Sequence, residues 1–197
     1  YHLDITPSAV LEVLERVTGS CEPVYNNIRQ QIKQSSNVYA DETGQKVQGQ
    51  QWWTWAFTTF THVLFLIRKS RGQAPVEEAL GDEYQGILNC DGWKPYSKKV
   101  KNIQRCWAHL LREAKWLAEQ EEGQARLLYQ ELCEMFKQIK QLRIAVLAQQ
   151  EREKQHGLLV AQMRRLIDRT QAYTELRKFA VKIENGLEHW FTCVLHP

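Results

Sequence analysis

The stretch Asn37-Val38-Tyr39-Ala40-Asp41-Glu42-Thr43-Gly44 decides the reading of this chain. A short run with strand character ends at a carboxylate, Asp41, and a glycine soon follows. A second stretch, Gly86-Ile87-Leu88-Asn89-Cys90-Asp91-Gly92, repeats the pattern. Carboxylates at strand ends can hold hard divalent cations for chemistry on phosphates. Aspartate before glycine is also ordinary turn chemistry. Neither stretch decides alone, so the sequence around them must.

Composition sets wide bounds. The chain has 197 residues, 43% hydrophobic and 25% charged, as in an ordinary globular protein. No apolar run reaches the roughly 18 residues of a membrane span, and no signal peptide is visible. Five scattered cysteines, Cys21, Cys90, Cys106, Cys133 and Cys193, form no disulfide framework and fit a reducing cytosol. The net charge of +3 permits nucleic-acid binding without demanding it. Basic residues cluster just after Asp91 (Lys94, Lys98, Lys99, Lys101, Arg105) and in the last third (Arg152 to Lys182). Such clusters line phosphate paths or form solvated helix faces.

Residues 1–36 read as helical. Thr6-Pro7-Ser8 starts a helix that Gly19 stops, and a second helix follows Pro23. Residues 37–69 read as three antiparallel strands at about 37–42, 46–58 and 61–69. Trp53 and Trp55 fall on one strand face as core, with Trp52 on the other. Pro75 opens a short helix that ends at Gly81, and a strand then leads to Asp91. Ile103 to Trp107 reads as one more strand. From Ala108 to about 192 only helical spacing remains, with 137–155 a long helix or hairpin arm and a break at Gly157. The expected domains are therefore a helical segment (1–36), a catalytic core (37–107) and a helical region (108–197). Three antiparallel strands, a helix and a parallel strand are the order of a ribonuclease-H-like α/β fold, a mixed sheet with flanking helices. In that layout Asp41 and Asp91, 50 residues apart in sequence, would converge.

Tyr39-Ala40-Asp41-Glu42-Thr43-Gly44, the Trp52-Trp53-Thr54-Trp55 run after Gly49, Ser70-Arg71-Gly72, Leu80-Gly81, Gly86 to Gly92, and Cys106-Trp107-Ala108-His109-Leu110-Leu111-Arg112 occur in one order. Together they resemble the DDE transposases of insertion-sequence family sixty-six, over nearly the whole chain. The resemblance implies a ribonuclease-H-like core with a helical insertion after the second aspartate. It also implies Mg²⁺ or Mn²⁺ in a two-metal site, DNA (transposon ends and target) as partner, and assembly as a homo-oligomer. Location would be cytoplasmic, with the nucleoid when DNA is bound. Asp41 matches the first catalytic aspartate and Asp91 the second. The family's third acid, a glutamate in an Asn-Asn-x-Ala-Glu context, has no match among these residues. The segment Glu188 to Pro197 resembles the stretch before it, so the chain is expected to stop short of that acid. Glu184 and Glu188 are the alternatives within the segment. Without a third acid, the fragment is expected to bind metal weakly and to be catalytically incomplete.

The implied reaction is strand cleavage by water at an insertion-sequence end, then attack of the freed 3′-hydroxyl on target DNA. Lys94, Lys98, Arg105, His109 and Arg112 are the candidate DNA contacts. Glu42, next to Asp41, should point away from it on a strand and serve as a turn or surface residue. Cys106 and His109 have a metal-compatible spacing but lack further zinc ligands. Two other readings stay open: a different ribonuclease-H-like nuclease, and a non-catalytic DNA-binding or dimerisation module derived from a transposase.

Overall fold

Gln48 and Gly49 both have positive φ, 51° and 77°. That backbone makes the two-residue turn whose twist suits antiparallel strands. It joins β1 (Asn37–Val47) to β2 (Gln50–Thr58). The computed structural model describes residues 5–121 and 123–197. Its chain divides into two units, the first ending at Gly86 and the second starting at Ile87. The whole is mixed α/β, with five strands among the described residues, three antiparallel in the first unit and two parallel in the second.

In the first unit, β3 (Val63–Arg68) pairs antiparallel with β2, placing Phe57 opposite Leu64 and Trp55 opposite Leu66. Across β1 the same rows continue to Ala40 and Glu42. Val38, Ala40, Trp55, Phe57, Leu64 and Leu66 are all buried, so alternation gives this sheet one core face. Trp55 and Phe57 lie nearly parallel, centroids 6.3 Å apart. The helix α2 (Ala74–Leu80) starts with Pro75 in its first turn and ends at Gly81, whose φ of 81° suits glycine. It packs on β3, and Arg68 of β3 forms a forked ion pair with Glu78.

Two expectations fail here for one reason. Glycine reads as punctuation in the sequence, but the chain runs through it. β1 does not end near Asp41; it continues through Gly44 to Val47. Gly44 lies opposite Trp53, where an added Cβ would sit 2.8 Å from Gln51 Nε2 and 3.6 Å from the Trp53 ring. Glycine there makes room for cross-strand side chains, not a turn. Likewise the amino-terminal region is one helix, α1 (Pro7–Gln34), rather than two. Thr6 caps it by accepting the Ala9 amide at 3.3 Å. Pro23 lacks the N–H that would bond the Gly19 carbonyl in the i→i−4 ladder. The two breakers thus meet at a single rung, and the helix crosses it. Its carboxyl-terminal end is anchored: Ile32 is buried, Arg29 donates to the Glu78 carbonyl at 3.0 Å, and the Tyr25 hydroxyl donates to the Phe65 carbonyl at 3.3 Å.

In the second unit, β4 (Ile87–Cys90) and β5 (Ile103–Arg105) run parallel, with Leu88 opposite Ile103. The one-turn helix α3 (Lys94–Ser97) lies between them in sequence. Trp107 belongs to the next helix, not to the strand. The remainder is helical: α4 (Trp107–Gln120), α5 (Gln124–Ile144), α6 (Gln149–Gln171), α7 (Arg177–Glu184) and the short α8 (Thr192–Leu195). Leu128, Leu132, Met135 and Ile139 of α5 repeat at alternate spacings of four and three and are buried with Leu110 and Met163. The 137–155 stretch is therefore a hairpin, turning at 145–148. Gly157 lies inside α6, and nothing stands within 4 Å of where its Cβ would be. A lone glycine costs about 1 kcal/mol against alanine, which a 23-residue helix absorbs.

Arg152 locks the hairpin. Only 8% exposed, it donates to the carbonyls of Ala145 (2.8 Å), Val194 (3.2 Å) and Leu142 (3.3 Å). The carboxyl-terminal segment is tied to β5 and α4. Trp107 Nε1 and Gln104 Nε2 both donate to the Trp190 carbonyl, at 2.7 and 3.0 Å, and Thr192 Oγ1 donates to the Ile103 carbonyl at 2.6 Å. No helix among the described residues is long and apolar enough to cross a membrane.

Candidate active site

Asp91 follows the last residue of β4 directly, at the carboxyl end of a parallel strand. Ligand crevices in parallel α/β sheets open at that end. The backbone turns there because Asp91 Oδ1 accepts the Trp93 amide at 2.8 Å. Asp91 Oδ2 has no hydrogen-bond partner among the described residues.

Beside it lies Arg105, the last residue of β5. Its guanidinium rests against the α-carbons of two glycines. A Cβ on Gly92 would collide with it, and one on Gly186 would come within 2.9 Å of Nε. Arg105 Nη2 donates to the Asn185 carbonyl at 3.3 Å, and the group lies 5.7 Å from the centre of the Trp190 ring. Burial lowers the Arg105 pKa, and the nearby Cys90 and Asp91 push it back up. His189 shifts down through burial first and then through the Arg105 charge.

These residues open onto a cleft of about 790 Å³. Its cations are Lys94, Lys98, Arg105, Lys178 and Lys182; its carboxylates are Asp91 and Glu113. Glu113 forms an ion pair with Lys182. His109, in the first turn of α4, also lines the cleft, and its Nδ1 is buried without a hydrogen-bond partner among the described residues. The balance is therefore cationic, in a hollow with one half-engaged carboxylate. That arrangement suits a phosphate chain approaching a cation.

Four of the five candidate DNA contacts, Lys94, Lys98, Arg105 and His109, line this one cleft; Arg112 does not. Lys178 and Lys182 also line the cleft, although their sequence context does not single them out. They are four residues apart and so share one face of α7, but sequence alone offered only a basic cluster that a solvated face explains equally well. Cys106 lines the same cleft, but among the described residues no group of three or more His, Cys, Asp or Glu is placed to hold a metal.

Asp41 belongs to the first unit. It lies mid-strand, opposite Ala56, which is in turn opposite Phe65. This row is on the face away from the core, where Tyr39 and Phe65 are exposed. Asp41 Oδ1 accepts the Glu42 amide at 3.0 Å, and Oδ2 takes no hydrogen bond among the described residues. Each aspartate thus keeps one anionic oxygen uncommitted, the hard donor that Mg²⁺ or Mn²⁺ prefers. Glu42 does point the other way, as alternation requires. It is not a surface residue, however: its carboxylate is 1% exposed and paired with Arg71 at 2.9 Å.

The whole pattern, from the Asp41 strand to the carboxyl-terminal helices, matches one family model. That model, described as the Transposase IS66 family, matches residues 1–196, and the chain belongs to this family. No curated protein and no solved structure matches the chain.

Proposed function

We propose that this chain carries the first two acidic ligands of a DDE transposase, Asp41 and Asp91, within a ribonuclease-H-like core. The core would span residues 37–107, after the helical segment 1–36 and before the helical region 108–197. The observation that carries the reading is Asp91, half-engaged at the end of β4 and opening onto the basic cleft. Divalent metal ions, when bound, would offset the phosphate's charge and activate the attacking oxygen. Asp41 and Asp91 would hold them through their free carboxylate oxygens. Lys94, Lys98, Arg105, Lys178 and Lys182 would bind the DNA phosphates and set the strand's path. His109, with its unpartnered nitrogen, would complete that track with one more polar contact. The reaction is phosphodiester exchange. An oxygen, of water and then of the freed 3′-hydroxyl, bonds to phosphorus as the bond to the leaving 3′ oxygen breaks.

The test is Mn²⁺ titration of the chain and of its Asp41→Asn and Asp91→Asn variants, followed calorimetrically. Both substitutions should weaken binding at least tenfold. Undiminished binding in either variant would remove that residue from the site. The basic cleft also supports the non-catalytic reading, in which DNA binds without metal. Duplex binding that ignores both Mn²⁺ and the aspartate substitutions would favour it.

A further inference from the structure

Two indoles line the cleft beside Asp91, and they are placed oppositely. Trp190 is 3% exposed. Its Nε1 donates to the Ile183 carbonyl at 2.9 Å and its ring packs edge-on to Trp107, so it belongs to the core. Trp93 is 38% exposed and lines the hollow itself. It stands just before α3, and its backbone amide is the one that Asp91 Oδ1 accepts at 2.8 Å. It lies two positions from Asp91, at most about 7 Å along the chain. Lys94 follows directly, and Lys98 stands one turn on, its amide donating to the Lys94 carbonyl at 3.3 Å. Both lysines line the cleft as well. An aromatic surface is thus set among cations, next to a carboxylate.

We propose that this cleft takes an unpaired stretch of a DNA strand, with one base stacked on Trp93 and the neighbouring phosphates on the lysines. The inference rests on the reading of the cleft as a DNA site and adds the form of DNA it accepts. Phosphate has no use for an indole, because the face of the ring is electronegative and disfavours anions. A base does use it. Cationic grooves that carry aromatic platforms hold single strands, the backbone on the charges and the bases on the rings. Inside a closed duplex both faces of each base are covered by its neighbours, so Trp93 can meet one only after it leaves the stack. Size agrees: about 790 Å³ falls within the roughly 300–1,000 Å³ of pockets that enclose small ligands. The hollow therefore has room for individual nucleotides, and a double helix would lie across its mouth. Position agrees too. A base held at Trp93 fixes which phosphodiester is presented to Asp91.

Fluorescence anisotropy should show this chain binding a duplex with a short single-stranded overhang about tenfold more tightly than the blunt duplex, the worth of about one stacked base. Trp93→Leu should remove that advantage and leave the blunt-duplex affinity unchanged, while Trp93→Phe should keep most of it. 2-Aminopurine placed as the first unpaired base should lose fluorescence on binding the parent chain and keep it on binding Trp93→Leu. The parent measurement needs no variant, so it reads the stacking even where Trp93→Leu does not fold. Equal affinity for the two probes, an overhang advantage that survives Trp93→Leu, or 2-aminopurine that stays bright on the parent overturns the inference and leaves the cleft's hold on duplex phosphates standing. Binding of neither probe overturns both.

Discussion

The carboxylate of Glu42, on the buried face of β1, meets Arg71 from beyond the end of β3 at 2.9 Å. The Arg71 guanidinium in turn stands 4.5 Å from the centre of the Trp53 ring. One residue along the strand, Asp41 faces outward. Two adjacent acids are therefore placed oppositely: one is neutralised in the core, and the other keeps a carboxylate oxygen without a hydrogen bond among the described residues.

Removing the counter-charge should be costly. Arg71→Met takes a counter-charge away from a buried carboxylate and should cost about 3 kcal/mol, the low end for breaking a buried pair, because Arg71 itself is about a third exposed. Urea denaturation checks this, and Arg71→Met/Glu42→Gln should recover much of the loss.

The cleft's lysines should be read by salt. Lys178→Ala should weaken duplex binding evenly across sequences and lower the slope of log K against log salt by about 1. Lys182→Ala should do less, because Glu113 already offsets its charge. Arg112→Ala, outside the cleft, should leave the slope unchanged.

Gly92→Ala should act through Arg105, with which its Cβ would collide. DNA affinity should fall about as far as in Arg105→Ala. The two substitutions together should cost less than their sum, since the second has nothing further to displace. Additive losses would sever the connection.

Arg152→Met should destabilise the second unit by about 2–4 kcal/mol, because three carbonyls lose a charged donor. Hydrogen exchange should rise first at the 142–148 turn and at α8.

Stability should fall as the solution is acidified below neutrality. Burial lowers the pKa of His156 and of His189 from 6.5. The unfolded chain then binds protons that the folded chain resists, so stability is fully present above about pH 6.5. It is lost progressively as pH falls from there towards the folded values. His156→Gln/His189→Gln should flatten the difference between unfolding at pH 7.5 and pH 5.5.

Local chemistry made much of this legible. The aromatic and β-branched run of 50–58, Pro75 to Gly81, and the strand before Asp91 announce themselves by composition and punctuation. The cleft's four foreseen members all lie within 18 residues of Asp91. What sequence concealed depends on distant neighbours. Gly44 passes for a turn until Trp53 is found opposite it. Glu42 passes for a surface residue until Arg71, 29 positions later, folds over it. Lys178 and Lys182 come from an element far along the chain, and only packing of the second unit brings them to Asp91. Gly19, Pro23 and Gly157 show that a breaker's cost, set against a long helix, need not end it.

Arg105 carries a thermodynamic consequence. A lysine that grips phosphate must give up rotamer freedom, roughly 0.5–1.5 kcal/mol for each side chain immobilised. Wedged between two glycines and held by the Asn185 carbonyl, Arg105 has surrendered that freedom already during folding. In the proposed DNA contact its charge would be a preorganised fixture, and the lysines around it the adaptable part of the grip. Widening either glycine would return entropy to the arginine, and binding would then have to spend it.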